Sequence, residues 1–167
     1  MQFIEPTKEF ENSWNAAIKE FELEGRDEFR NYPNRPKNLD EYIRMVASHA
    51  LGEDLPAGFV PATTYWLVDG TEFIGHAYIR HTLNEHLLNF GGHIGYAIRP
   101  SARTKGYGTK ILELALPKAK ELGIDRVLVT CDESNIGSRK IIEKNGGVLE
   151  NSIPGENGPK LRFWITL

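Results

Sequence analysis

The residues best suited to chemistry form a basic, glycine-bearing loop, Arg103-Thr104-Lys105-Gly106-Tyr107-Gly108-Thr109, called here the 103–109 loop. Before it, the β-branched and aromatic segment His93 to Ile98 predicts a strand, which Pro100 ends. After it, Lys110 to Leu122 predicts a helix. Glycines let a backbone approach a ligand closely, and the first N–H groups of a helix have no partner within it. Together with the helix dipole and two cationic side chains, these features predict a phosphate site.

Two common phosphate motifs do not fit this loop. A P-loop needs Gly-Lys-Ser/Thr, whereas the order here is Gly108-Thr109-Lys110. A dinucleotide fingerprint needs a third glycine where this chain has Ile111. The remaining pattern, Arg-x-x-Gly-x-Gly after a strand ending in Arg99-Pro100, resembles the pyrophosphate loop of the GNAT superfamily of N-acetyltransferases, which binds the diphosphate of acetyl-coenzyme A (acetyl-CoA).

The sequence downstream strengthens this resemblance. Arg126 to Cys131 predicts a second strand, and Ser134 to Asn145 predicts the helix that follows. An Asn after the strand (Asn135), a small residue three positions later (Ser138) and an Asn-Gly-Gly helix stop are similar to the next strand and helix of that superfamily. Gly92 to Glu150 looks most like a bacterial branch known mainly as predicted acetyltransferases.

The resemblance implies roles for particular residues. The diphosphate would be surrounded by the 103–109 loop. The pantetheine arm would lie in a gap between the central strand and its neighbour, near the backbone of Ile98 and Arg99, with Asn135 contacting it. Asn135 is equally suited to cap the following helix. The amine would attack the thioester directly in a ternary complex, without an acyl-enzyme.

The sequence departs from the superfamily at one catalytic position, because many GNAT members carry a Tyr general acid where this chain has Ile142. Cys131 and Ser138 are candidates to lie near the sulfur of the thioester. Alternatively, Cys131 is only a small apolar strand residue and Ser138 only a small residue that lets its helix pack. His93, which titrates near neutral pH, and Asp132 are rival candidates for the base. Asp132 could instead cap the next helix.

Composition limits the class of protein. With 167 residues, 40% hydrophobic and 26% charged, the chain predicts one globular acetyltransferase domain spanning 1–167. The net charge of −3 disfavours nucleic acid, no segment resembles a membrane span or signal peptide, and the single Cys131 favours a cytoplasmic location. His76, His81 and His86 are five apart, so no metal site is expected. An early acidic run that includes Glu20 and Glu24 predicts a solvated helix face or, less simply, a surface that attracts a cationic amine.

The remaining elements must position this site. Helical spacing predicts two helices, one from Thr7 to Gly25 and one from Asp40 to Gly52, with loop over Asp27 to Pro36. Strands over Ala62–Val68 and Phe73–Arg80, joined by an Asp-Gly turn, and a loop over Asn84–Gly92 lead to the central strand. A strand–helix–strand unit predicts Arg126–Cys131 as its parallel neighbour. The resemblance implies an α/β (α+β mixed), mostly antiparallel GNAT-like sheet of six to seven strands with about four helices on both faces.

We therefore predict an acetyl-CoA-dependent N-acetyltransferase acting on a small-molecule or peptide amine, with a homodimer plausible through exposed strand edges. Ile142 motivates an alternative, a CoA-binding sensor or partner-binding module without turnover. A third hypothesis is a dinucleotide oxidoreductase with Asp132 as the ribose acid. No motif identifies the acceptor or the acyl-chain length.

Overall fold

Two antiparallel sheets form the centre of the protein in a computed structural model that describes residues 1–27, 29, 35–156 and 158–167. The first sheet has the order β1-β2-β3-β4, formed by Gln2–Ile4, Ala62–Asp69, Glu72–Arg80 and Ile94–Ile98. The second has the order β5-β7-β6, formed by Arg126–Asp132 (β5), Val148–Ile153 (β6) and Lys160–Thr166 (β7). The predicted turn joins β2 to β3, with Gly70 at a φ of 58°.

The described residues form four α-helices, whose ends follow their sequence signals. They are α1 (Glu11–Leu23), α2 (Leu39–Leu51), α3 (Tyr107–Glu121) and α4 (Ile136–Lys144). Asn38 caps α2 by accepting the Glu41 N–H at 2.9 Å, and Gly52 ends it at a φ of 79°. None of these helices has the length and apolarity that a membrane crossing needs.

The core lies on both faces of the first sheet, because neighbouring strand residues point in opposite directions. On β2, Trp66 packs with α1 and α2, where Trp14 stacks on it at a centroid distance of 6.3 Å. The next residue, Leu67, packs on the other face with α3, α4 and the second sheet. Helices therefore cover both faces, and the predicted mixed α/β architecture is confirmed.

The prediction that β5 pairs in parallel with β4 is wrong. A single antiparallel bridge, Gly92 with Val129, joins the two sheets, and the His93 N–H donates to the Leu128 carbonyl at 2.7 Å beside it. Beyond the bridge, among the strands that the structure describes, β4 pairs with β3 alone and β5 with β7 alone. The two strands therefore diverge, which opens a gap beyond the bridge. The family resemblance implies a gap at this place, whereas strand composition alone predicts ordinary pairing.

Other predicted boundaries shift. The predicted loop Asn84–Gly92 contains a π-helical turn, Leu87–Gly91, and α3 begins at Tyr107, three residues before the prediction. Most of the predicted loop Asp27 to Pro36 lies outside the described residues, as does Asn157.

Candidate functional site

The 103–109 loop connects the end of β4 to the first turn of α3. Thr104 and Gly106 adopt positive φ values of 63° and 85°, and the Gly106 carbonyl accepts the N–H groups of Thr109 and Lys110 at 3.1 and 3.2 Å. The N–H groups of Tyr107 and Gly108, at the start of α3, have no acceptor within the helix. They are the donors that this helix offers to an anion, and the early start of α3 moves them into the predicted loop.

The cationic side chains of the loop are turned toward α1 and the local backbone. Arg103 forms a bidentate pair with Glu24 at 2.7 and 2.8 Å, and its Nε donates to the Ile98 carbonyl at 3.1 Å. The Lys105 ammonium donates to the Ser101 carbonyl at 2.9 Å. A bound diphosphate would therefore compete with the Glu24 carboxylate for Arg103.

Gly108 and Gly106 have different roles. A Cβ on Gly108 would lie 2.5 Å from Ile141 Cδ1, so this glycine allows α3 and α4 to approach closely. Asn145, just after α4, also links α4 to α3, because its Nδ2 donates to the Thr109 carbonyl at 3.2 Å. A Cβ on Gly106 would meet no atom within 4 Å. Gly106 is therefore the glycine that borders open space.

The edge of β4 supplies backbone groups to the gap. The Arg99 N–H donates to Ile74 and the Arg80 N–H donates to His93, so odd-numbered residues of β4 face β3. Pairing alternates along an antiparallel strand, so the backbone groups of Tyr96 and Ile98 point away from β3, into the gap. Of the two residues expected along pantetheine, Ile98 thus faces the gap, whereas the Arg99 amide faces β3.

The Arg99 side chain is held by hydrogen bonds to two carboxylates. Its side chain is only 10% exposed, and it donates to Glu20 from Nε at 3.0 Å and to Glu72 from Nη1 at 2.9 Å. Glu20 also accepts the N–H and hydroxyl of Ser101 at 2.9 and 3.0 Å. Burial alone would raise the pKa of Glu20, but these hydrogen bonds lower it to about 2. Glu20 thus fastens the segment before the 103–109 loop to α1.

The far side of the gap is formed by the start of α4. Asn135 caps α4 by accepting the Ser138 N–H at 3.0 Å, and the hydroxyls of Ser138 and Tyr96 lie 2.9 Å apart. Burial raises the pKa of Tyr96 to about 12. Sequence analysis missed Tyr96, although its position two residues before Ile98 on the central strand was a usable signal.

The predicted base His93 joins the two sheets. Its Nδ1 accepts the Leu128 N–H at 2.9 Å, so in the neutral ring the remaining nitrogen carries the proton. Burial and the nearby Arg80 lower the pKa of His93. The neutral ring therefore has no free lone pair for a proton from an amine, which argues against the base role.

The remaining candidates lie on or beside β5. Cys131 is buried, which raises the pKa of its thiol to about 11, and Asp132 forms an ion pair with Lys160 on β7. Asn135, and not Asp132, supplies the helix cap. Ile142 is fully buried in the core.

A cleft of about 810 Å³ opens on the opposite face of the first sheet, between that sheet, α1 and α2. Its floor includes the alternate β3 side chains His76, Tyr78 and Arg80. The described residues contain no group of three or more His, Cys, Asp or Glu side chains that could hold a metal ion. The site thus has two parts, a backbone-lined gap beside α3 and α4 and a cleft beside α1 and α2, on opposite sides of the first sheet.

The fold is similar to that of known acetyltransferases. The microcin C7 self-immunity acetyltransferase MccE, solved with acetyl-CoA and AMP, has a TM-score of 0.69 at 14% identity, covering 99% of this chain and 91% of its own. RimL, the ribosomal L7/L12 α-N-protein acetyltransferase, solved with coenzyme A, has a TM-score of 0.69 at 15% identity, covering 100% and 95%. A GNAT-family protein from Bordetella pertussis has a TM-score of 0.64 at 15% identity, covering 97% and 93%.

Sequence comparison gives the family. The uncharacterized N-acetyltransferase YnaD of Bacillus subtilis (strain 168) is 29% identical over 89 residues, and the match spans half of this chain and half of YnaD. The family model "Acetyltransferase (GNAT) domain" matches residues 14–148. The chain belongs to this GNAT acetyltransferase family.

Proposed function

We propose that this protein transfers the acetyl group of acetyl-CoA directly to a primary amine of a small molecule or peptide. The observation that carries the proposal is the free edge of β4, which ends at the positive-φ loop and the N-terminus of α3. Backbone groups for a pantetheine arm and N–H donors for a diphosphate are thus consecutive along the chain. The similar folds of MccE, solved with acetyl-CoA, and RimL, solved with coenzyme A, support the same ligand.

The proposed ligand contacts follow from this arrangement. The N–H groups of the 103–109 loop hold the diphosphate, and Arg103 and Lys105 add charge once they leave Glu24 and Ser101. Ile98 pairs with the pantetheine arm through its backbone, and Asn135 and Ser138 border the arm from α4. The site residues Thr104, Gly106, Tyr107, Gly108, Thr109 and Arg99 act through backbone geometry and packing.

The transfer needs little from any single side chain. The amine nitrogen forms a bond to the thioester carbon, the carbon–sulfur bond breaks, and coenzyme A leaves as a thiolate that takes up a proton. Holding both reactants aligned is worth roughly 7–11 kcal/mol. A backbone N–H of β4 that faces the gap stabilises the developing oxyanion.

Tyr96 stabilises the thiolate as a hydrogen-bond donor. A thiol pKa near 8.5 lies about 3.5 units below the value of about 12 for Tyr96, so full proton transfer would be uphill by roughly 5 kcal/mol. The buried Cys131 stays protonated. Asp132, whose side chain is 44% exposed, remains the candidate base, since His93 is committed to Leu128.

The first experiment is isothermal calorimetry of acetyl-CoA binding to the wild type, Gly106→Val and Gly123→Val. Both glycines have similar φ values, 85° and 80°, and a Cβ on either would meet no atom within 4 Å. The two substitutions therefore strain opposite ends of α3 equally. We expect wild-type binding, at least about tenfold weaker binding for Gly106→Val, and little change for Gly123→Val. Equal affinity for all three proteins would contradict the assigned cofactor site.

A catalytically inactive CoA-binding module is the second candidate, favoured by the burial of Ile142 where the superfamily often carries Tyr. Thiol release from acetyl-CoA in the presence of amines distinguishes the two. Binding without release across a broad amine panel would favour the module, whereas release above background requires the enzyme. The proposal further includes one domain over 1–167, a cytoplasmic location in keeping with the free thiol of Cys131, and a possible homodimer.

A further inference from the structure

The cleft beside α1 and α2 has a floor of stacked planar groups. His76 and Tyr78 have ring centroids 6.3 Å apart, and the Arg80 guanidinium carbon lies 4.8 Å from the Tyr78 ring centroid. All three side chains project from alternate positions of β3 toward the cleft. The Tyr78 ring is therefore flanked by His76 and by the Arg80 guanidinium, which bring polar groups to the floor of the cleft.

The floor extends to the central strand. Tyr78 pairs with Gly95 of β4, and a Cβ on Gly95 would lie 2.3 Å from both Cζ and the hydroxyl oxygen of Tyr78. The ring therefore lies against the Gly95 backbone, next to Tyr96. The floor of the cleft therefore reaches β4, and the backbone groups of Tyr96 and Ile98 on this strand face the proposed pantetheine gap.

Arg80 is available to a ligand. Its Nη1 donates to the carbonyls of Gly91 and Gly92 at 3.1 and 2.7 Å, which fixes the guanidinium in place. Among the described residues, no hydrogen bond involves its Nε or Nη2. A fixed guanidinium with donors left over suits a carboxylate or another anion.

The charge of the cleft disfavours a polycation. Arg26 and Arg80 line it, and the one carboxylate among its described lining residues, Asp27, is paired with Arg35 at 3.2 Å. Two carboxylates of the early acidic run face the loop, Glu20 on α1 and Glu24 directly after it, and they are paired with Arg99 and Arg103. No unpaired carboxylate on the described walls is therefore placed to attract a cationic amine.

We propose that the acceptor is a primary amine that carries an anionic group, with its anion on Arg80 and its amine toward Gly95. This inference rests on the proposed function and names the substrate class for the same site. It selects against polyamines and against aliphatic amines without an anion.

The test measures kcat/KM for thiol release with three matched amine pairs: phenylalanine and phenethylamine, tyrosine and tyramine, tryptophan and tryptamine. Alanine tests an anionic amine without a ring, and spermidine tests a polyamine without an anionic group. We expect the better amino acids to exceed their decarboxylated partners by about 10- to 100-fold, the effect of one charge-assisted hydrogen bond. Preference for spermidine or for the decarboxylated amines would overturn the proposal.

Variants assign the preference to Arg80. Arg80→Gln should raise KM for the preferred amino acid by about tenfold or more relative to any change in KM for its decarboxylated partner, and Arg80→Lys should recover part of this difference. Arg126→Gln is the matched control, because Arg126 stacks on Trp164 at a similar 4.9 Å but lies on the second sheet. Equal effects of Arg80→Gln and Arg126→Gln would overturn the assignment.

Calorimetry with acetyl-CoA on the same preparations separates this inference from the proposed function. Turnover of panel amines without the expected preference refutes the acceptor class alone, whereas intact acetyl-CoA binding with no turnover of any amine favours the inactive module. Loss of acetyl-CoA binding by the wild type would refute the proposed function itself.

Discussion

Glu20→Ala should destabilise the protein far more than the same substitution two residues later. Glu20 and Arg99 have side-chain exposures of only 24% and 10%, and Glu20 accepts four hydrogen bonds from Arg99 and Ser101. Removing one partner of a buried pair costs about 3–5 kcal/mol. Because Arg99 keeps its pair with Glu72 and Glu20 is not fully buried, we expect a loss of about 2–3 kcal/mol in the free energy of unfolding.

The matched control is Glu22→Ala, also on α1. Glu22 and Arg35 are about half exposed, at 51% and 49%, and such a pair contributes about 0–1 kcal/mol. Both variants replace Glu with Ala within one helix, so their intrinsic helix propensities cancel. Urea unfolding should give the difference directly, and the melting temperature of Glu20→Ala should fall by roughly 4–12 °C.

The same perturbation bears on the cofactor loop. Glu20 binds the Ser101 N–H and hydroxyl, two residues before Arg103, so its loss should also weaken acetyl-CoA binding, whereas Glu22→Ala should not. If the two variants unfold within about 0.5 kcal/mol of each other, the reasoning that ties the loop to α1 through a buried ion pair is refuted.

Three further predictions concern pH, packing and the free thiol, and one concerns the base. The pKa of Glu20 falls from 4.5 to about 2 on folding, so the stability that its charge contributes is complete above pH 4.5 and is lost as the pH falls toward 2. The unfolding free energy should therefore depend less on pH over this window in Glu20→Gln than in the wild type. Gly95→Ala should cost about 1–3 kcal/mol in urea unfolding because its Cβ would overlap Tyr78, whereas Gly137→Ala, with 3.6 Å to its nearest neighbour, should not destabilise α4. The raised pKa of about 11, against an ordinary 9.0, should slow the reaction of native Cys131 with a disulfide reagent at least about 100-fold relative to the denatured chain, and equal rates would contradict its burial. Asp132→Asn should lower kcat by about 10²–10⁴-fold if Asp132 is the base, and a change below tenfold would leave it only its ion pair with Lys160.

Much of this protein follows from local sequence. The Asp69-Gly70 turn, the Asn38 and Gly52 ends of α2 and the loop between β4 and α3 are each specified by residues within a few positions of one another. The family was accessible for the same reason, since its motifs lie in one continuous stretch. These features depend on backbone preferences that neighbouring residues set.

Tertiary structure decided which of the candidate side chains are available. His93 is suitable for acid–base chemistry by type, yet the N–H of Leu128, 35 residues away in the chain, occupies its Nδ1, and Asp132 forms an ion pair with Lys160, 28 residues away. Arg103 is cationic in the sequence but is paired with Glu24, 79 positions earlier. Hydrogen bonds and ion pairs of such long range depend on how the helices pack, so no local pattern reports them.

The same reason explains the divergence of β4 from β5 and the existence of the cleft. Strand composition is alike on both sides of the gap, and only the bridge at Gly92 and Val129 followed by separate pairing shows where the strands part. The Tyr78 ring on Gly95 and the Arg80 guanidinium on that ring likewise result from strand register. The sequence by itself thus determined the family, most of the elements and the loop, whereas the tertiary structure decided where the strands part, the cleft and the partners of each charged group, because these depend on distances between segments far apart in the chain.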